Sequence, residues 1–92
     1  MPTQQRDQQQ ADRERDEGQR LNAAIGENVL RDLGRPGDLL TVQVRRLWEG
    51  HYRVNVFVGP DAASATVAHS YYLVADGGGN ITESTPAIAR RY

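Results

Sequence analysis

The chain has 92 residues, which makes one domain with a modest core. Its net charge of -1 provides no long-range field for nucleic acid or an anionic membrane. The absence of cysteine excludes disulfides, thiolate metal sites, iron–sulfur clusters and cysteine nucleophiles.

All 11 basic residues are arginine, which reads as codon bias rather than as selection for bidentate anion contacts. The hydrophobic fraction is 38 %, and the deficit is local, because Met1, Pro2 and Ala11 are the only apolar residues before Leu21. The N-terminus lacks the apolar run of a secretory signal. No window approaches the roughly 18 apolar residues of a membrane span. A cytoplasmic location without membrane attachment is therefore expected.

Residues 1–16 are rich in Gln, Arg and acids and read as a disordered polar arm ahead of a single domain over 17–92. Within the first twenty residues five acids meet four arginines, so the arm neutralises itself and is not a basic tail for nucleic acid.

A helix is expected over about 17–33. Asp16 and Gln19 fit a capping box. Leu21, Ile25, Val29 and Leu33 recur every four residues, with Ala24 and Leu30 widening the apolar face. Gly26 weakens the helix by about 1 kcal/mol relative to Ala but permits close approach to a neighbour. Gly34 supplies a left-handed stop, and Pro36 cannot continue the helix.

Two alternating stretches, about 39–47 and 51–58, read as a hairpin. The register must set apolar against apolar. A two-residue Glu49-Gly50 turn would place Val44 opposite Asn55. A three-residue loop, Trp48-Glu49-Gly50, places Val44 opposite Val54, Val42 opposite Val56 and Leu40 opposite Val58, and puts Gly50 where a left-handed residue is wanted. Leu40, Val42, Val44, Val54, Val56 and Val58 then form the buried face. Arg45 lies opposite Arg53 on the outer face, and Arg46 lies beside Tyr52.

Pro60 opens the next turn. A third strand, about 65–75, has an open phase: Val67, His69, Tyr71 and Leu73 share one face, Ala68, Ser70, Tyr72 and Val74 the other. Its length invites a bulge near His69-Ser70. Asp76-Gly77-Gly78-Gly79-Asn80 is a turn, and about 81–84 is a short fourth strand. Residues 85–92 are either an extended tail or a short helix with Thr85 as its N-cap. The fold class is α+β: one N-terminal helix on a three- to four-stranded antiparallel meander, in two layers.

Four constellations carry candidate chemistry. The glycine run at 77–79 lacks the following helix and Lys-Ser/Thr of a phosphate loop, so it reads as a hairpin turn. His51 and His69, the only imidazoles, have no spacing that joins them or gathers a third ligand. Neither a catalytic, a metal nor a cofactor site is assigned, and the chain reads as a non-enzyme. Asn80-Ile81-Thr82 matches a glycosylation triplet, which has no meaning without a secretory signal. The outer face of the hairpin, with Arg45, Leu47, Trp48, His51, Arg53 and Phe57, is the candidate interaction surface. One face of a single-layer sheet stays open when a helix covers the other.

The order helix–strand–strand–strand, with Tyr52-Arg53-Val54-Asn55-Val56 in the second strand and Asp76-x-x-Gly79-Asn80-Ile81 closing the third, resembles the small PepSY-type domains. The likeness spans about residues 20–84 and implies the arrangement of a helix on a short meander; no functional residue carries across.

The sequence thus points to a small protein-interaction module that binds a partner or a second copy through the open face. The alternative is a weak single-stranded nucleic-acid binder using the arginines and aromatics of the 39–58 hairpin, although residues 39–92 carry only five arginines against four acids.

Overall fold

The structure, a computed structural model, describes the backbone of residues 2–92 and the side chains of Arg13 and residues 15–92. Its elements are α1 (Pro2–Leu33), β1 (Leu39–Trp48), β2 (His51–Val58), one 3-10 turn (Ala62–Ser64), β3 (Thr66–Ala75) and β4 (Ile81–Thr85). α1 thus begins at Pro2 rather than near residue 17, and of the arm expected over 1–16 Met1 and most side chains before Arg15 lie outside the described residues. The four strands form one antiparallel sheet in the order β1-β2-β3-β4, with α1 on one face, as the hydrophobic periods require.

The core lies between α1 and that face. Ile25, Val29 and Leu33 from the helix meet Tyr52, Val54 and Val56 from β2 and Tyr71, Leu73 and Ala75 from β3. Leu21, Leu39, Val42, Val44, Ile81 and Ile88 pack around its edge. Gly26 sits over β1, where an added Cβ would lie 3.5 Å from Val44 Cγ2 and 3.6 Å from Val42 Cγ1. The helix stops as expected, with the Gly34 N–H donating to the Leu30 carbonyl and Gly34 at φ 90°.

The hairpin register holds at its centre: Val44 pairs with Val54, Val42 with Val56, Arg45 with Arg53 and Arg46 with Tyr52. It differs at both ends. Leu39, not Leu40, pairs with Val58, because a bulge falls between Leu39 and Thr41. The extra residue hands the inward position to Leu39, which packs on the core, and leaves Leu40 exposed. At the turn, Trp48 pairs with His51, so Glu49-Gly50 alone makes the connection and Leu47 is the extra residue. Gly50 has the expected positive φ, 76°.

In β3 the phase is decided by a bulge between Val67 and His69, one residue before the expected place. His69 pairs with Val56, Tyr71 with Val54 and Leu73 with Tyr52, so these three lie on the helix side. Ser70, Tyr72 and Val74 lie on the open side, and across the bulge Val67 joins them opposite Phe57. The Asp76–Asn80 turn packs against α1: the Gly79 carbonyl accepts from Asn28 Nδ2 at 2.7 Å, and Gly79, at φ 82°, is buried.

Residues 86–92 form no helix. They return along the helix side, where Arg91 N–H and Tyr92 N–H donate to the Leu33 carbonyl at 2.8 and 3.2 Å. This tail satisfies a carbonyl that a helix C-terminus otherwise leaves unpaired. Among the described residues no helix is long and apolar enough to cross a membrane.

Candidate functional site

Strand alternation divides the side chains of the sheet between two chemically distinct faces. On the open face, four rows run across the strands. They are Trp48–His51–Val74–Glu83, Arg45–Arg53–Tyr72–Thr85, Gln43–Asn55–Ser70 and Thr41–Phe57–Val67. The six residues singled out from sequence divide accordingly. Arg45, Trp48, His51 and Arg53 come together at the turn end of the hairpin, with Leu47 in the adjacent bulge. Phe57 does not join them. It is six residues from His51 along β2, about 20 Å at the rise of an extended strand.

At the turn end three rings pack together. Trp48 and His51 are 4.6 Å apart between centroids at an interplanar angle of 30°. Tyr72 lies 6.1 Å from Trp48 and 5.9 Å from His51. His51 Nδ1 and the Tyr72 hydroxyl are hydrogen-bonded at 2.8 Å, which fixes both rings. Trp48 nonetheless stays 56 % exposed. The bulge at Leu47 is the local cause, because it brings Trp48 directly opposite His51. Tyr72 is the member that sequence reasoning missed: with the phase of β3 open, it belonged to either face.

Beside the rings, Arg45 and Arg53 face each other across β1 and β2. Like charges so placed repel. The ion pairs among the described residues, Arg31–Asp32 and Arg35–Glu27, involve neither of them. The next row is a polar chain: Arg53 Nη1 donates to Ser70 Oγ over a long 3.5 Å, and Ser70 Oγ donates to Asn55 Oδ1 at 2.7 Å.

The helix side carries different chemistry. His69 Nε2 and the Tyr92 hydroxyl are hydrogen-bonded at 2.8 Å, and His69 stacks on Tyr71 at 6.3 Å. Burial pushes the Tyr71 hydroxyl above the ordinary phenol range; Arg91 pulls it down and Tyr92 raises it further. His51 and His69 thus lie on opposite faces of the sheet and cannot act on one substrate atom. Among the described residues no three His, Asp or Glu side chains gather as metal ligands.

A cleft of about 880 Å³ opens between α1 and the two turns on that side, lined by Arg20, Leu21, Arg46, Glu49, Tyr52 and Asp76 among others. The Asp76 carboxylate is engaged within its own turn. It accepts from the N–H groups of Gly78 and Asn80, both at 2.9 Å, and from Asn80 Nδ2 at 3.2 Å. The bonds from Asn80, joined by the one from Gly78, hold its carboxyl below the usual carboxylate range. The glycine run is therefore a structured turn against the helix, built around Asp76.

No protein-family model matches this chain, and neither a curated protein nor a solved structure proves similar to it.

Proposed function

We propose that this chain is a non-enzymatic binding module whose open sheet face takes single-stranded nucleic acid. Bases stack on Trp48, His51 and Tyr72, and Arg45 and Arg53 contact phosphate. The observation that carries this reading is a tryptophan 56 % exposed on an ordered aromatic cluster, next to an arginine pair with no carboxylate in ion-pair reach among the described residues. Single-strand binders combine these two ingredients, because every base has a stacking face and every link a negative charge. The open face sets two arginines against Glu83, so its charge is opposite in sign to that of the whole chain. With two phosphate contacts the binding is weak, and the affinity should fall with salt at a logarithmic slope of roughly -1.4. The cytoplasmic location expected from the sequence belongs with this proposal.

Trp48 is the only tryptophan, so its fluorescence reports the site directly. Titration with a 15-nucleotide thymidine oligomer at low and moderate salt should quench it, more strongly at low salt. Arg53→Ala should reduce the salt slope by about half. Absent quenching, or quenching indifferent to salt, overturns the reading.

Self-association through the same face is the second reading. It is favoured by the exposure of Leu47 and Trp48 at one end of the sheet and of Leu40 and Val67 at the other. Against it, the row of Gln43, Asn55 and Ser70 separates the two ends, and a two-fold contact about an axis along the strands would bring two Arg45–Arg53 pairs together. Sedimentation at two concentrations decides this: a concentration-dependent dimer that excludes the oligomer replaces the nucleic-acid reading.

A further inference from the structure

We infer that Asn55 selects among the bases that reach this face, favouring thymine or uracil over cytosine, and that Ser70 positions it; this rests on the nucleic-acid reading above. The argument is the direction of the hydrogen-bond chain. A guanidinium has N–H donors and no acceptor. Arg53 Nη1 therefore donates to Ser70 Oγ, and the Ser70 hydroxyl proton is directed to Asn55 Oδ1, 2.7 Å away. This assigns the Asn55 carbonyl inward, to Ser70, and leaves its NH2 group as the donor end of the chain. Asn55 lies on the open face, one row from Arg53 and Tyr72 and four residues along β2 from His51, about 13 Å from that ring at strand rise. Gln43, paired with Asn55 across the strands, is exposed and has no such anchor among the described residues, so it adapts to either base.

A fixed NH2 donor distinguishes bases by what they present to it. Thymine and uracil offer the O4 acceptor where cytosine carries an N4 amino group, itself a donor. Two donors opposed leave both unpaired, a loss comparable to one hydrogen bond. The two pyrimidines are otherwise close in shape, so stacking on Trp48, His51 and Tyr72 does not separate them.

The experiment titrates the full chain with 15-nucleotide oligomers of thymidine, deoxyuridine and deoxycytidine, reading Trp48 fluorescence. Thymidine and deoxyuridine oligomers should bind alike, and about fivefold tighter than the deoxycytidine oligomer, the ratio expected for one hydrogen bond. Asn55→Asp exchanges the donor for an acceptor and should turn the preference towards cytosine, whose amino group a carboxylate accepts. Ser70→Ala frees the amide to rotate and should bring the ratio close to one. Equal binding of thymidine and deoxycytidine oligomers by the unmodified protein, or a ratio that Asn55→Asp leaves unchanged, overturns the inference while the stacking surface stands. Failure of all three oligomers to bind overturns the nucleic-acid reading, and this inference with it.

Discussion

The two faces of the sheet are built from the same strands, yet they do opposite things with their aromatic and imidazole groups. On the helix side Tyr52 and Tyr71 are buried among Val54, Val56, Leu73 and the helix residues Ile25, Val29 and Leu33. On the open side Tyr72, one residue along from Tyr71, joins Trp48 and His51 in a cluster that keeps a large ring in solvent. His69 is tied to the C-terminal tail through Tyr92, whereas His51 is tied to Tyr72. On the helix side the Asp76 carboxylate is likewise engaged, by N–H groups of its own turn. The open side leaves Arg45 and Arg53 without a carboxylate in ion-pair reach among the described residues. A side chain's place on one face or the other, more than its type, decides whether it serves stability or remains available to a partner.

The sharpest way to break that comparison is to truncate neighbours on opposite faces. Leu73→Ala removes a fully buried side chain and should cost about 2 to 5 kcal/mol, a large part of the stability of a small domain. Val74→Ala, next to it on the open side, should cost less than about 1 kcal/mol. Urea denaturation of both variants measures the contrast, and equal losses would mean that the open side is also core.

Two glycines against the helix layer test how closely it packs. At Gly79 an added Cβ would lie 2.8 Å from Ala24 Cβ, on a backbone with φ 82°, so Gly79→Ala should destabilise by about 1 to 3 kcal/mol. At Gly26 the added Cβ meets Val44 and Val42 at ordinary contact distance, and the residue lies mid-helix. Gly26→Ala should therefore stabilise by about 0.5 to 1 kcal/mol. Thermal midpoints that move the same way for both variants would contradict the packing of α1 on β1 or on the Asp76–Asn80 turn.

The smallest expected effect concerns pH. The Asp76 carboxyl is held below its ordinary value of 3.8 by hydrogen bonds from Asn80 and Gly78. Its contribution is therefore complete above that value and is lost as the pH falls below it, through the lower folded-state value. Comparing urea midpoints near neutral pH and near pH 3, the unmodified protein should lose slightly more stability than Asp76→Asn. Parallel losses would show that the turn does not depend on the charge.

Much of the architecture is legible in the residues. The four-residue recurrence from Leu21 to Leu33 places the helix face, and Gly34 with Pro36 marks its end. The alternation of Val42 and Val44 against Val54 and Val56 fixes the central register, since a slip of one residue would expose the whole set. Of the open-face cluster, Arg45, His51 and Arg53 follow from that register alone, whereas Trp48 joins them only through the bulge at Leu47.

Tertiary structure decides the rest. Bulges beside Leu40, Leu47 and Ala68 insert single residues, and each changes which side chains face inward beyond it. A period-2 pattern cannot locate such insertions when apolar residues are adjacent, as at Leu39-Leu40 and Tyr71-Tyr72. What separates Tyr71 from Tyr72 is the pairing of β3 with β2 beneath the helix. The cost of burying the wrong face is paid across the whole sheet, so local propensity does not settle it. The sequence by itself determined a helix over an antiparallel meander with an open face; only the pairing of β3 set Tyr72 on that face beside Trp48 and His51, and Ser70 beside Asn55.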